Sequence, residues 1–267
     1  MKILSYFNSG NSFPVILEKE GAQYFVKLHA GMSGQHALVN EWVGNELGRQ
    51  LQIKTQVPSW IELNTEVEVE AIHIEVKELI GKSLGINIGF PFQEKATEIT
   101  KSDIGKIDPQ TALEVYLLDL MMINIDRTPS NLNLMRVETE IISVDYESSL
   151  LCQEILGHKN LLAEERILQC LKQNPLYREI SEKKIQEFLF RTANISIGVI
   201  LAGIPTTLLS DADRTLLANG IEKKQKNKWF LMETMDKLKG IKTETRAEQK
   251  SRRNKNQAIF RKRFNTG

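Results

Sequence analysis

Asp126, Asn131 five positions on, and Asp145 fourteen positions beyond that are the residues of this 267-residue chain whose types and spacing could do chemistry. A carboxylate, an amide oxygen and a second carboxylate are what phosphoryl transfer demands. One carboxylate accepts or orients the proton of an attacking hydroxyl. The other carboxylate and the amide hold Mg²⁺ against nucleotide phosphates. Mg²⁺ takes hard oxygen ligands in near-octahedral geometry. Asp126 and Asn131 lie in NIDRTPSNLNL (124–134), and Asp145 directly follows the apolar run IISV. A D-x-x-x-x-N spacing alone is common by chance. The full order of buried helix, D-x4-N, hairpin, apolar strand and Asp is far more specific. A loop whose Asp and Asn serve only turn hydrogen bonds is the competing reading. It accounts for the loop but not for the elements around it.

Those elements are legible nearby. TALEVYLLDLMMI is a helix buried on most faces, opened by Asp108 as N-cap and Pro109 at the first helical position. LNLM and IISV form two short strands with a turn at VETE. Such a hairpin brings Asn131 and Asp145 to one edge. Upstream, KILSYF, SFPVIL and AQYFVKL are separated by the turn residues NSGN and EKEG. They predict a three-stranded antiparallel meander over residues 2–28. GMSG makes a loop, QHALVNEWVGNELGRQL a helix, and VPSWIEL and AIHIEVKEL two further strands. A linker is expected from Glu78 to Gly85, with Glu78 and Leu79 beside a bound nucleotide. Gly81-Lys82-Ser83 resembles the end of a Walker A loop, but Val76 stands where that motif needs Gly. The triplet is therefore read as part of the hinge. LLAEERILQCLKQN, SEKKIQEFLFRTANI and the stretch after the capping pattern at Ser210 are helical. The fold class expected is α+β and bilobal. Residues 1–80 form a small antiparallel β-rich lobe and 81–238 a mainly helical lobe, followed by a basic tail over 239–267. The cleft between lobes is a natural ligand site.

Lys27 closes the strand YFVKL behind the apolar Phe25 and Val26. It occupies the place of a phosphate-binding Lys in a kinase-like lobe; a snorkelling surface Lys is the alternative. Glu41 and Glu46 on the next helix can each pair with it, and Glu41, near the helix middle, is preferred. The first two strands are joined by FNSGNSF, whose Gly10 and Ser12 can offer backbone N–H groups to phosphate. The G-x-G-x-x-G of protein kinases is absent. Self-phosphorylation at Ser9 or Ser12 would eject this loop and shut the site.

Composition is that of an ordinary globular protein, with 41% hydrophobic and 26% charged residues. No run approaches the ~18 apolar residues of a membrane helix. The start, MKILSYFNSGNSF, lacks a secretory h-region and cleavage site. A soluble, cytoplasmic protein without a membrane partner is expected. Two cysteines and four histidines show no metal-ligand spacing. The net charge of +1 hides an asymmetry. Asp236 to Arg263 holds eleven Lys or Arg against three Asp or Glu, a net of +8, so the rest carries −7. Over 239–263 such a tail suits nucleic acid or an acidic partner. A solvated charged arm is the plainer reading.

NIDRTPSNLNL followed by IISVDYESSL resembles the catalytic and metal-binding segments of HipA-like kinases. These are bacterial relatives of the protein-kinase and phosphatidylinositol-kinase folds. LVNEWVGNELGRQLQIKTQVP is similar to the Asn-Glu helix and Val-Pro strand start of the compact members, and AGIPTTLL to their C-terminal lobe. The resemblance spans residues 5–238. It implies ATP and Mg²⁺, with Asp126 as catalytic base, Asn131 and Asp145 as metal ligands and Lys27 on the phosphates. Arg127 follows the base as in the family's Asp-Arg pair, and either buttresses the loop or meets substrate. Asp-Tyr-Glu stands where protein kinases carry Asp-Phe-Gly. The implied activity is that of a Ser/Thr protein kinase. A small-molecule kinase with the same site, or a pseudokinase scaffold docking a partner through the tail, are the alternatives. The longer toxin members carry an extra N-terminal domain that contacts an antitoxin. This sequence is too short at its start to hold one, so toxin–antitoxin membership is not expected.

Overall fold

β-Branched and aromatic runs interrupted by turn residues build the first sheet. The computed structural model describes residues 1–7, 13–69, 73–157 and 162–241. Strands β1 (Lys2–Tyr6), β2 (Val15–Lys19) and β3 (Ala22–Lys27) pair antiparallel in chain order, as the meander requires. Helix α1 (Gln35–Gln50) follows, then β4 (Ser59–Leu63) and the short β5 (Glu68–Val69).

The next segment departs from expectation. Residues read as a strand in AIHIEVKEL form helix α2 (Ile74–Lys82). Apolar alternation at Ile72, Ile74 and Val76 suggested period two. Burial instead follows Val76 and Ile80, an i, i+4 pair, and leaves Ile74 64% exposed. Gly81 and Lys82 end this helix rather than bridging lobes. Ser83 caps it, and its Oγ accepts the Ala30 N–H at 3.2 Å. The strand the sheet still lacked is β6 (Gly85–Pro91), running antiparallel between β3 and β4. The six strands lie in the order β4-β6-β3-β2-β1-β5, so the first sheet continues past residue 80 to Pro91. The chain then crosses at Phe92–Ala96 into a second sheet of β7 (Thr97–Glu98), β8 (Leu134–Val137) and β9 (Glu140–Ser143).

Helix α3 (Pro109–Met122) is the post of the main core. Asp108 caps it by accepting the Thr111 N–H at 2.9 Å, and its apolar residues are buried all round. Around it pack α1, α4 (Leu151–Ile155), α5 (Glu164–Gln173), α6 (Glu182–Ala193), α7 (Ile197–Ala202), α8 (Asp211–Lys226) and α9 (Lys228–Gly240). The single helix read after Ser210 breaks at Asn227, whose side chain accepts the Trp229 N–H at 3.1 Å and starts α9. The architecture is the α+β arrangement expected, a curled sheet followed by a helical half. Residues 8–12, with Ser9, Gly10 and Ser12, and the basic tail from 242 onward lie outside the described residues. Among the described residues no helix is long and apolar enough to cross a membrane.

The two halves meet along α1. Trp42 on α1 stacks on Trp60 of β4 with ring centroids 4.8 Å apart. Their indole N–H groups donate to the carbonyls of Ile200 and Gly203 at 2.9 and 2.6 Å. Asn40 donates to the Ser149 carbonyl at 2.5 Å and accepts the Cys152 N–H at 3.2 Å. Gly44 lets the Tyr146 ring lie flush on the helix: a Cβ there would stand 2.6 Å from Tyr146 Cβ. At an open helical position Gly→Ala stabilises by roughly 0.5–1 kcal/mol. At Gly44 the sign reverses: Gly44→Ala is expected to lose about 1–3 kcal/mol through overpacking. Gly81→Ala, with open space around it, serves as the control that gains. Denaturant unfolding of both variants measures the contrast.

Candidate active site

Among the described residues Arg127 is the largest fully buried side chain, and each of its guanidinium N–H groups has a partner. Nε and Nη2 grip Asp119 at 2.6 and 3.1 Å. Nη1 donates to the carbonyls of Leu132 and Asn133 at 2.6 and 2.7 Å, and Nη2 also reaches Ser143 Oγ at 2.8 Å. Asp119 sits inside the apolar helix α3 and accepts further from Asn124 at 3.0 Å and Asn174 at 2.8 Å. One buried pair thus ties α3, the loop after it and strand β9 together. Of the two roles open to Arg127, the geometry supports the buttress. Expected among the catalytic residues, it has no donor left for a substrate and no exposure to meet one.

Asp126 is half-buried beside it. Its Oδ2 accepts from the amides of Asn131 at 2.8 Å and Asn133 at 3.1 Å, and its backbone N–H donates to Asn124 Oδ1 at 3.2 Å. Asn131 uses its amide nitrogen on Asp126, which leaves its amide oxygen for other partners. Paired backbone bonds between Thr128 and Asn131, at 2.8 and 3.0 Å, close the loop around Pro129. Asn133 and Asp145 both adopt left-handed backbone, with φ of 49° and 65°; Asn and Asp tolerate this better than most side chains. The Val144 N–H donates to the Asn133 carbonyl at 3.0 Å. The residue before Asp145 is therefore bonded to the residue that orients Asp126.

Lys27 ends β3 nearly buried, which excludes the snorkelling alternative. Its Nζ lies 2.7 Å from Asp145, 3.1 Å from Glu147 and 3.2 Å from Glu41. Burial opposes its charge, but Asp145, then Glu41 and Glu147, outweigh burial and hold its pKa well above the usual lysine value. Glu41 is fully buried on α1. Burial pushes its carboxyl up to about 7, against the pull of Lys27. Glu41 also accepts the Tyr146 N–H at 2.7 Å. Glu46, the other candidate partner, pairs with Arg49 at 2.5 Å instead.

A cavity of about 340 Å³ ends at Lys27 and Asp145. Phe7 and Phe25, with ring centroids 5.5 Å apart, line it together with Met135, Val144 and the crossing segment from Pro91 to Ala96. Small-molecule pockets begin near ~300 Å³. Glu78 and Leu79 do not line it. Leu79 packs under the first sheet and Glu78 faces water near Lys82. The crossing segment stands where those two were expected. The sequence signal for β6, the strand that leads into it, is the alternation of Ile86, Ile88 and Phe90 between Gly85 and Pro91.

Residues 1–234 match the HipA-like kinase family. The chain belongs to that family. Among solved structures it is similar to the Helicobacter pylori proinflammatory kinase CtkA, with 12% identity, a TM-score of 0.51, and coverage of 89% of this chain and 95% of that one. At this identity the likeness speaks for the fold alone. No curated protein matches the chain.

A HipA-like kinase implies ATP and a divalent metal, and the residues present fit both. The Asn131 amide oxygen and the Asp145 carboxylate are hard donors of the kind Mg²⁺ takes, and a buried ammonium closes the cavity. Asp119, Asn124, Asn133, Asn174 and Glu147 were not singled out as functional from sequence. A lone Asp in the apolar run VYLLDLMMI was the available signal, because a buried carboxylate must find a cationic partner. Removing that partner strands the charge. Arg127→Ala is expected to cost about 3–5 kcal/mol in denaturant unfolding. A double variant with Asp119→Ala should lose less than the sum of the single losses.

Proposed function

We propose that the chain transfers the γ-phosphoryl group of ATP, with Mg²⁺, to a Ser or Thr hydroxyl of a protein. Lys27 carries this reading: an ammonium buried at the end of a largely apolar cavity, 2.7 Å from the carboxylate of Asp145. An ammonium kept that far from water needs strong anionic partners, and phosphate oxygens are such partners. Bound ATP and Mg²⁺ supply the phosphoryl group and neutralise its developing charge. Phe7, Phe25, Met135 and Val144 offer apolar faces to the base. Lys27, oriented by Glu41, meets the phosphates, while Asp145 and the Asn131 amide oxygen hold the metal. Asp126, aimed by Asn131 and Asn133, accepts the hydroxyl proton on the oxygen those amides leave free. Pro129 and Ser130 are exposed beside it, which leaves the approach of a protein segment open.

Incubation with ATP and Mg²⁺, followed by intact-mass and phosphosite measurement, tests the reading. Phosphoserine or phosphothreonine is expected on the chain or on an added protein. Asp126→Asn should slow turnover by roughly 10²–10⁴-fold, and Asp145→Asn should abolish it. Wild-type turnover in both variants would sink the assignment. Phosphate appearing only on small molecules would overturn the protein acceptor.

A further inference from the structure

Glu147 has no part in the reaction as proposed, yet its carboxylate stands 3.1 Å from the Lys27 ammonium with the side chain only 21% exposed. The Lys27 ammonium donates to Asp145, while the buried Glu147 Oε2 has no hydrogen-bond partner and faces the ammonium through charge. Here three carboxyl groups surround it, Asp145 at 2.7 Å, Glu147 at 3.1 Å and Glu41 at 3.2 Å. One oxygen from each of these three acids lies within 4.8 Å of the others. One cation among three acids leaves the cluster negative. Glu41, fully buried on α1, is enough to orient Lys27, so Glu147 is surplus to that task. What it adds is negative charge where phosphates must arrive.

The backbone that carries Glu147 toward Lys27 is fixed on its N-terminal side. The Tyr146 N–H before it is held by Glu41, the Tyr146 ring lies buried against Gly44, and the Tyr146 carbonyl accepts the Ser149 N–H at 3.0 Å. A bare nucleotide carries several negative charges and must displace two carboxylates from Lys27 against like charge. A nucleotide arriving with a divalent cation brings the charge that offsets Asp145.

We propose that Glu147 is a positioning residue that withholds Lys27 from nucleotide phosphates until a divalent cation enters, and so makes nucleotide binding depend on metal. This rests on the ATP reading above. Nucleotide and cation are then coupled ligands, each raising the affinity for the other by the same factor.

Fluorescence titration of mant-ADP, in EDTA and in Mg²⁺, tests the proposal on wild type, Glu147→Gln and Glu147→Asp. Wild type and Glu147→Asp are expected to bind at least about tenfold more weakly in EDTA, within the usual range of coupled sites. Glu147→Gln is expected to narrow that ratio to about threefold or less, through tighter binding in EDTA. Should Glu147→Gln fail to fold by circular dichroism, Glu147→Ala is the second neutral variant and the same ratio decides. A ratio unchanged from wild type, or weaker binding in both conditions, overturns the proposal while leaving the ATP reading standing. A wild type that binds no mant-ADP even with Mg²⁺ overturns both.

Discussion

A guanidinium and a carboxylate taken out of water must find partners for every donor and acceptor they carry. Arg127 and Asp119 find them in helix α3, the loop after it, the carbonyls of Leu132 and Asn133, the hydroxyl of Ser143 and the amide of Asn174 at the end of α5. That requirement explains why so polar a loop follows so apolar a helix. Arg127 and Asn124 turn inward and satisfy one buried acid, while Asn131 and Asn133 turn their amides to Asp126. The helix is the rigid post, and the ion pair fixes the loop's height upon it.

Helix α1 performs the corresponding task for the cavity. It carries Asn40 toward Ser149 and Cys152, Glu41 toward Lys27 and Tyr146, Trp42 toward Ile200, and Gly44 beneath the Tyr146 ring. Four of five successive residues thus contact elements that come from both halves of the fold. A helix with partners all round leaves little freedom to reposition Lys27 without also moving the segment of Asp145. Positioning of the ammonium and of the metal-binding carboxylate is therefore mechanically linked, and packing tolerates few intermediate arrangements.

Local spacing revealed most of what is local. The D-x4-N step, the hairpin, the caps at Asp108 and Ser210 and the first three strands all depend on neighbours close in sequence, and the structure has them. AIHIEVKEL failed because a short apolar stretch satisfies period two and period 3.6 equally. Packing on the sheet then chose the helix. β6 was missed because its pairing partners, β3 and β4, lie well upstream in the chain, and an alternating stretch beside a presumed linker did not declare itself. Without β6, local pattern places Glu78 and Leu79 at the cleft, which the crossing segment lines instead.

By itself the sequence determined the reactive residue types, their order and the chemistry they could share, because those follow from spacing within short segments. Only the tertiary structure decided that Glu41 rather than Glu46 meets Lys27, that Arg127 is a buttress, and that Glu147 joins the cluster. Glu41 and Lys27 are fourteen positions apart, but the cluster that fixes them joins residues far apart in the chain: Lys27 and Asp145 are 118 positions apart, Glu41 and Tyr146 are 105. Arg127 and Asp119 are only eight apart, yet spacing could not say that both are buried. Burial and long-range contact arise when whole elements pack, and no local pattern records which faces will meet.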